Sequence, residues 1–588
     1  MKKKAIATLL ITGIAASALN GCGSMATGNG GSMTETAPTY IEAEYPASVK
    51  GDNSTGYSYP SAAAEDYSTG DAGYATTESS ESCYAEAPAA EDYRIADSSE
   101  SWAAKQYDGA YDTLCPGLYY PPYNSGENYK SYSENPFTNA ASQPLSTFGA
   151  DIDTASYANF RRMVNDGYRL TDIPSGSIRT EELVNYFHYD YRSPGRDDAF
   201  AVNASIIDCP WNDETKLVNL GIKAKDLTDI SDVASNIVFL VDVSGSMNSY
   251  DKLPLLKMGL DMLVDDLDEN DRVSIVTYAS SSDIVLAGVC GNEHTTIKRA
   301  INSLDASGST NGGDGIISAY KLAEKYFIKG GNNRVIMATD GDLNVGITSE
   351  SELEALISDK KESGVFLSVL GFGTGNYNEA TLETLADKGN GNYSYIDCLS
   401  EAKKVLIDEF GSTLFTVAKD VKFQIEFNPK YVSEYCQIGY ENRQMAASDF
   451  TDDTKDGGEI GSGHEMTVLY EVRLNDENVN DSVPLRYQNT DLSDTGAYSD
   501  EWMMVSVRYK NPDKDTSKQL YFPIRSECYT KNPNCDTLFA AYVATCGMIL
   551  NDSEYAGRLD MRDVAKQVAM LDLNDEYKEE FLSLIRQL

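Results

Sequence analysis

The pattern of hydrophobic and polar residues divides the chain into stretches of different periodicity. Between Asn236 and about Ser412, continuous apolar runs alternate with segments whose apolar residues recur every three or four positions. Continuous runs are typical of strands that are covered on both faces, and the second pattern is typical of amphipathic helices. The alternation predicts an α/β fold: a doubly wound, mostly parallel sheet with helices on both faces, whose strand-end loops share one edge.

The pattern is different on either side of this region. After Asp420, apolar and polar residues alternate in segments such as Val421–Pro429 and Glu465–Leu474, which indicates antiparallel sheet with one solvated face. The segments that follow Phe539 return to helical spacing. Strand-like runs also flank Trp211, before the α/β region. We expect the strands before and after that region to pair, so that it is inserted into a β domain.

The stretch from Gly23 to about Ala140 has the composition of a spacer. It holds 18 acidic and 4 basic residues, 15 of the chain's 39 tyrosines, and very little Val, Ile, Leu or Phe. So few apolar side chains cannot offset the loss of chain entropy on folding. The composition predicts a disordered acidic tether over residues 22–140, and a tyrosine-based recognition segment is the alternative.

The N-terminus has the pattern of an export signal. Three lysines precede the apolar run Ala5–Leu19, which is too short for a comfortable membrane span. The run leads into Leu19-Asn20-Gly21-Cys22, which resembles a bacterial lipobox, although an ordinary cleaved signal is the alternative. The resemblance implies a signal peptide over residues 1–21, palmitate-type lipidation of Cys22, and an extracytoplasmic place in the bacterial cell envelope. The sequence does not decide between the outer membrane and the cell surface as the location.

Charge and histidine content limit the classes of function. The formal net charge is −43, which disfavours nucleic acid and anionic membrane surfaces as partners. His188, His294 and His464 are the three histidines of the chain, and they lie far apart in the sequence. A multi-histidine zinc site or a Ser-His-Asp triad is hard to build from them. We therefore expect no catalytic residues and no enzyme, and a hydrolase in the C-terminal region is the weaker alternative.

Oxygen-bearing side chains lie at the predicted carboxyl edge of the parallel sheet. Some follow the apolar strand Ile237–Val241, one lies in a Gly/Ser-rich loop before a helix, and one follows the apolar strand Val335–Ala338. Hard oxygen ligands suit Mg2+, with Mn2+ or Ca2+ as alternatives. A phospho-aspartate phosphatase would need a second aspartate where Ser244 stands. The candidate metal ligands are Asp242, Ser244, Ser246, Thr310 and Asp340.

Together these five residues resemble the metal-ion-dependent adhesion site of the von Willebrand factor type A (VWA) domain. Asp242, Ser244 and Ser246 match the family's DxSxS, while Thr310 and Asp340 match its threonine and final aspartate. The resemblance implies direct ligation by the three hydroxyls, with the aspartates acting mainly through water. It also implies an open coordination position that takes an acidic residue from a protein partner. The implied function is adhesion or envelope assembly, and a structural envelope protein with a stabilising metal is the alternative.

The resemblance extends beyond this domain. From about Ser146 to Leu588 the chain is similar to a family of bacterial VWA lipoproteins, in stretches such as DIDTASYANFRR, RTEELVNYFHYDY and NRVIMATDGDLNVG. It implies an associated N-terminal segment over 146–235, a VWA domain over 236–412, and a C-terminal β-rich region over 420–588 that ends in helices. Leu343, where Phe is usual, and Cys436, where Arg is expected, depart from the pattern, and neither is a candidate ligand.

Overall fold

The computed structural model describes residues 39–41, 129–130, 132–227, 233–309, 312–341, 350–361, 363–374, 378–475, 500–512, 514 and 516–588. The strands in chain order are β1 (Thr39–Ile41), β2 (Thr138–Asn139), β3 (Leu145–Gly149), β4 (Phe200–Asp208), β5 (Lys216–Ala224), β6 (Ser235–Asp242), β7 (Arg272–Tyr278), β8 (Ser282–Cys290), β9 (Asn332–Thr339), β10 (Phe366–Phe372), β11 (Tyr393–Ile396), β12 (Thr416–Phe427), β13 (Val432–Ile438), β14 (Ile460–Gly461), β15 (Glu465–Leu474), β16 (Glu501–Lys510) and β17 (Ser517–Arg525). The helices are α1 (Ala155–Asn165), α2 (Thr180–Asn185), α3 (Leu253–Val264), α4 (His294–Asn302), α5 (Gly312–Lys325), α6 (Glu350–Lys361), α7 (Glu379–Lys388), α8 (Leu399–Lys403), α9 (Phe410–Leu414), α10 (Cys535–Leu550), α11 (Met561–Val568) and α12 (Glu576–Ile585).

The central sheet has the strand order β11-β10-β9-β6-β7-β8. Its pairs are parallel, except that β8 runs antiparallel to β7 at the edge. Alternate residues of β6 point to opposite faces: Phe239 packs with α3 and α4, whereas Leu240 packs with α5 and α7. Because both faces are covered, the strand is apolar from Ile237 to Val241. The α/β fold class predicted from the periodicity is confirmed.

Two antiparallel sheets lie outside the α/β domain. One has the order β1-β4-β5-β15-β13-β2, and the other joins β14, β12, β16 and β17, with β3 also paired to β12. Leu220 of β5 lies opposite Val468 of β15, and Phe148 of β3 lies opposite Phe423 of β12 with ring centroids 5.4 Å apart. The predicted pairing across the α/β region is confirmed, so the α/β domain is an insertion between β5 and β12.

Buried ion pairs connect the inserted domain to the rest of the chain. Arg161 of α1 donates to Glu401 of α8 at 2.7 Å and to Asp397, and these side chains are nearly inaccessible. Arg443 donates to the buried Glu383 of α7 at 3.3 Å and to the more exposed Asp387 of the same helix at 2.7 Å. Since a buried charge without a partner is costly, these pairs fix how the two parts pack.

The boundary of the predicted tether differs in the structure. Residues 132–140 were expected to belong to the tether, but β2 pairs with β13, and Ala140 is fully buried. The Asn135 side chain donates to the carbonyls of Gln437 and Gly439, so a polar residue contributes ordering contacts that hydrophobic content does not predict. Within the predicted tether, β1 also pairs with β4.

The predicted signal peptide, Cys22 and most of the predicted tether lie outside the described residues. In the part of the chain that the structure describes, no helix combines the length and the apolar character needed to cross a membrane.

Candidate metal centre

Strand β6 brings Asp242 to the carboxyl edge of the parallel sheet, where the chain turns sharply. The backbone N–H of Ser244 donates to Asp242 Oδ1 at 2.8 Å, and the Ser244 and Ser246 hydroxyl oxygens lie 2.9 Å apart. Asp242 and Ser244 are buried, whereas Ser246 is exposed. The three oxygen-bearing side chains therefore lead from the interior to the surface.

Strand β9 brings Asp340 to the same edge. Its pairing with β6 places Ala338 opposite Val241, so that the residues that follow on the two strands are neighbours. The Thr339 hydroxyl donates to Asp242 Oδ2 at 3.3 Å, and Asp340 is buried directly after it. Two carboxylates and two hydroxyls of the predicted set thus lie in one region.

The loop that precedes α5 is hydrogen-bonded to the turn after β6. The Gly245 N–H donates to the carbonyl of Gly308 at 3.0 Å, and the Ser307 N–H donates to the carbonyl of Val243 at 2.6 Å. Gly308 has a φ of +84°, which favours glycine at this close approach. Thr310 follows in this loop but lies outside the described residues.

Burial gives the site an unusual charge state. Burial raises the pKa of Asp242 to about 6, the hydrogen bonds from Ser244 oppose the shift, and the charge of Asp340 adds to it. Burial also raises the pKa of the neighbouring Tyr278 well above its usual value, with the charge of Asp242 as the next cause. A second negative charge beside a desolvated carboxylate favours a cation close to both groups.

The donor set fits a small, hard divalent cation. Among the residues that the structure describes, no group of three or more His, Cys, Asp or Glu side chains could hold a metal ion. The oxygen donors at this edge are hydroxyls as well as carboxylates. Serine hydroxyls beside buried aspartates are oxygen ligands of the kind that Mg2+ accepts while it keeps several waters.

Two neighbours of the site were not predicted from the sequence. Thr339 donates to Asp242, and Lys252 donates to Asp340 Oδ2 from 2.9 Å. Thr339 could have been found because it directly precedes Asp340 at the end of a buried strand. The sequence signal for Lys252 is weaker: it is the basic residue between the turn at Ser246 and α3.

Comparisons with known proteins agree with this architecture. Residues 236–407 match the von Willebrand factor type A domain, residues 123–219 match a model described as von Willebrand factor, and residues 412–588 match the C-terminal region of "Uncharacterized protein YfbK". That protein from Escherichia coli (strain K12) is 42% identical over 466 residues, which is 78% of this chain and 80% of the relative.

Other similarities are more remote. "Uncharacterized protein sll0103" from Synechocystis is 32% identical over 171 residues, which is 28% of this chain and 39% of that protein. The solved structure of a von Willebrand factor type A protein from Catenulispora acidiphila has a TM-score of 0.37 at 14% identity, covering 68% of this chain and 91% of that one. The identity to the Escherichia coli relative extends over most of both chains. The chain therefore belongs to the YfbK family of VWA-domain proteins.

Proposed function

We propose that this chain is a lipid-anchored envelope protein that binds a protein partner through a Mg2+-dependent site. The observation that carries the proposal is the convergence of Asp242, Ser244, Ser246 and Asp340 at one sheet edge. Ser244 and Ser246, with Thr310 from the adjoining loop, would hold the ion, and the two aspartates would supply charge. The bound ion would act as the electrophile that binds one carboxylate of the partner.

The surroundings of the site support binding. Ser246 is exposed, so an ion held by its hydroxyl would be accessible from solvent. The segment between Ser246 and Lys252 carries Tyr250, a residue that is 86% exposed. An exposed tyrosine close in sequence to a polar centre is typical of protein contact surfaces, where tyrosine contributes apolar area at a low cost in side-chain entropy.

Another observation favours a second candidate function, in which the metal only stabilises the fold. The site joins β6, β9 and the loop before α5, through the Thr339–Asp242 and Gly245–Gly308 hydrogen bonds. A cation there would cross-link three segments that are remote in sequence. In that case the ion would raise the melting temperature and leave partner binding unchanged.

One experiment separates the two functions. The chain with Asp242→Ala is immobilised beside the wild type and the matched control Asp266→Ala, an exposed aspartate at the other end of the domain. Partner capture from envelope extracts is compared with Mg2+ and with EDTA. The binding function predicts that capture by the wild type and by D266A needs Mg2+ and that D242A loses it. Unchanged capture by D242A, together with a lower melting temperature, would favour the structural function.

A further inference from the structure

A buried lysine contacts the candidate metal centre. Lys252 Nζ lies 2.9 Å from Asp340 Oδ2, and the two residues are 8% and 3% exposed. A lysine is seldom buried this deeply unless its charge is paired, because desolvation of the ammonium group is costly. The ammonium group is therefore held where the site needs positive charge.

The fold holds the lysine side chain in one place. Gly373, directly after β10, has a φ of +72°, and a Cβ built on it would lie 2.2 Å from Lys252 Cε and 2.5 Å from Cγ. The lysine stem thus lies flat against a residue that has no side chain. The Tyr395 hydroxyl donates to the Gly373 carbonyl at 2.9 Å and fixes this surface. The backbone of Lys252 is bonded as well, since its N–H donates to Ser249 and its carbonyl accepts from Leu256.

The position of the ammonium group changes the charge of the site. Asp242 and Asp340 together carry two negative charges when both are ionised, and Lys252 reduces this to a single negative charge. A divalent cation then leaves the loaded site with one positive charge, which one carboxylate of a partner neutralises. Without Lys252 the loaded site would already be neutral. At such short separations, in partly desolvated surroundings, one charge changes binding free energies substantially.

We propose that Lys252 is a specificity-determining residue of this centre, a built-in counter-cation that weakens intrinsic Mg2+ binding and makes the loaded site require an anionic partner group. The inference rests on the proposed function. Lys252 donates a hydrogen bond to Asp340 Oδ2, so the ammonium group and the ion compete for the charge of this carboxylate. It also neutralises Asp340 when no metal is bound, which keeps the empty centre folded.

The test compares Lys252→Met and Lys252→Arg with the wild type. The matched control is Lys298→Met, which removes the lysine of an exposed ion pair with Asp265. Mg2+ alone is titrated by calorimetry, with and without acetate as a carboxylate probe, and the melting temperature is measured in EDTA. We expect K252M to bind Mg2+ at least about tenfold more tightly, to lose the acetate effect, and to melt at a lower temperature in EDTA. K252R and K298M should behave as the wild type does.

The outcomes are distinguishable from those that test the proposed function. Wild-type Mg2+ affinity in K252M would overturn the role of Lys252 and leave the metal site intact. No Mg2+ binding by the wild type would overturn the proposed function, and the inference with it. If K252M does not fold, K252Q, whose amide can still donate to Asp340, gives the same comparison. Wild-type Mg2+ affinity in K252Q would likewise overturn the inference.

Discussion

Thr339 and Asp242 are joined side chain to side chain across the two central strands of the parallel sheet. The threonine hydroxyl donates to Asp242 Oδ2 at 3.3 Å, while Oδ1 accepts from the Ser244 N–H. Both carboxylate oxygens therefore already accept hydrogen bonds from the protein. This arrangement favours a role in which Asp242 contributes charge and orients the turn, with the hydroxyl groups closer to the ion.

Replacement of Thr339 by Val tests this relationship. The change keeps the shape of the side chain but leaves one oxygen of a buried carboxylate without its donor. We expect the free energy of unfolding in EDTA to fall by about 1–2 kcal/mol, as measured by urea denaturation. Thr295→Val, at an exposed position of α4, is the matched control. Equal stability of the two variants would show that the hydrogen bond has no energetic role.

The raised pKa of Asp242 predicts a pH dependence. The folded chain holds the Asp242 proton more tightly than the unfolded chain does. Binding of this proton therefore adds to the free energy of unfolding in full below about pH 3.8, and the addition is lost as the pH rises through about 6. Asp242→Asn should therefore raise the metal-free stability at pH 8 by about 3 kcal/mol relative to the wild type. Chemical denaturation in EDTA at pH 5 and pH 8 measures this. A D242N variant that is no more stable than the wild type at pH 8 would contradict this prediction.

Mg2+ should compete with the same proton. As the pH rises through about 6, Asp242 loses its proton, and the increase in melting temperature that Mg2+ causes should grow. In D242N this increase should be small at every pH, because the buried negative charge is absent. Thermal melts with Mg2+ and with EDTA over this pH range make the comparison. An equal Mg2+ effect at pH 5 and pH 8 in the wild type would exclude Asp242 from the site.

The ion pairs of Arg161 should be essential for stability. Arg161→Met leaves Glu401 and Asp397 buried without their cation, and we expect a loss of about 3–5 kcal/mol in the free energy of unfolding. Lys566→Met removes an ion pair that is exposed to solvent, and it should leave the unfolding midpoint unchanged. Similar unfolding midpoints for R161M and K566M would show that the buried pair does not hold the inserted domain.

The proposed anchor is tested at Cys22. If the cysteine carries lipid, Cys22→Ser should move the mature protein from the membrane fraction to the soluble fraction, because the acyl chains supply the affinity for the bilayer. Fractionation followed by immunoblotting measures the distribution. Cys83→Ser, in the predicted tether, is the control. Membrane association that survives C22S would show that lipid on Cys22 is not what anchors the protein.

Much of the fold follows from periodicity, and part of the site follows from it too. Ile237–Val241 and Val335–Ala338 are apolar throughout because both faces of these strands are covered, and parallel pairing brings Asp242 and Asp340 to one edge. Lys252 could not be predicted in the same way. Its burial depends on Gly373, a residue far away in the sequence whose lack of a side chain matters only once the strands are assembled.

The limits of composition appear between residues 132 and 140. The polar composition of that stretch predicts tether, yet the Asn135 side chain donates to two carbonyls near the end of β13, and Ala140 is buried. The hydrophobic content of a segment does not predict backbone pairing or side-chain amide contacts. Such contacts order a polar segment when a partner strand already exists.

We propose that the edge of the parallel sheet binds Mg2+ through Ser244 and Ser246 beside Asp242. Calorimetric titration of Mg2+ into the metal-free chain, compared with Ser246→Ala and the control Asp266→Ala, tests it most directly. We expect one saturable site in the wild type and in D266A, and Mg2+ affinity lower by at least about tenfold in S246A, since a direct ligand is lost. Equal Mg2+ affinity in the wild type and S246A, or no Mg2+ binding by the wild type, would contradict it.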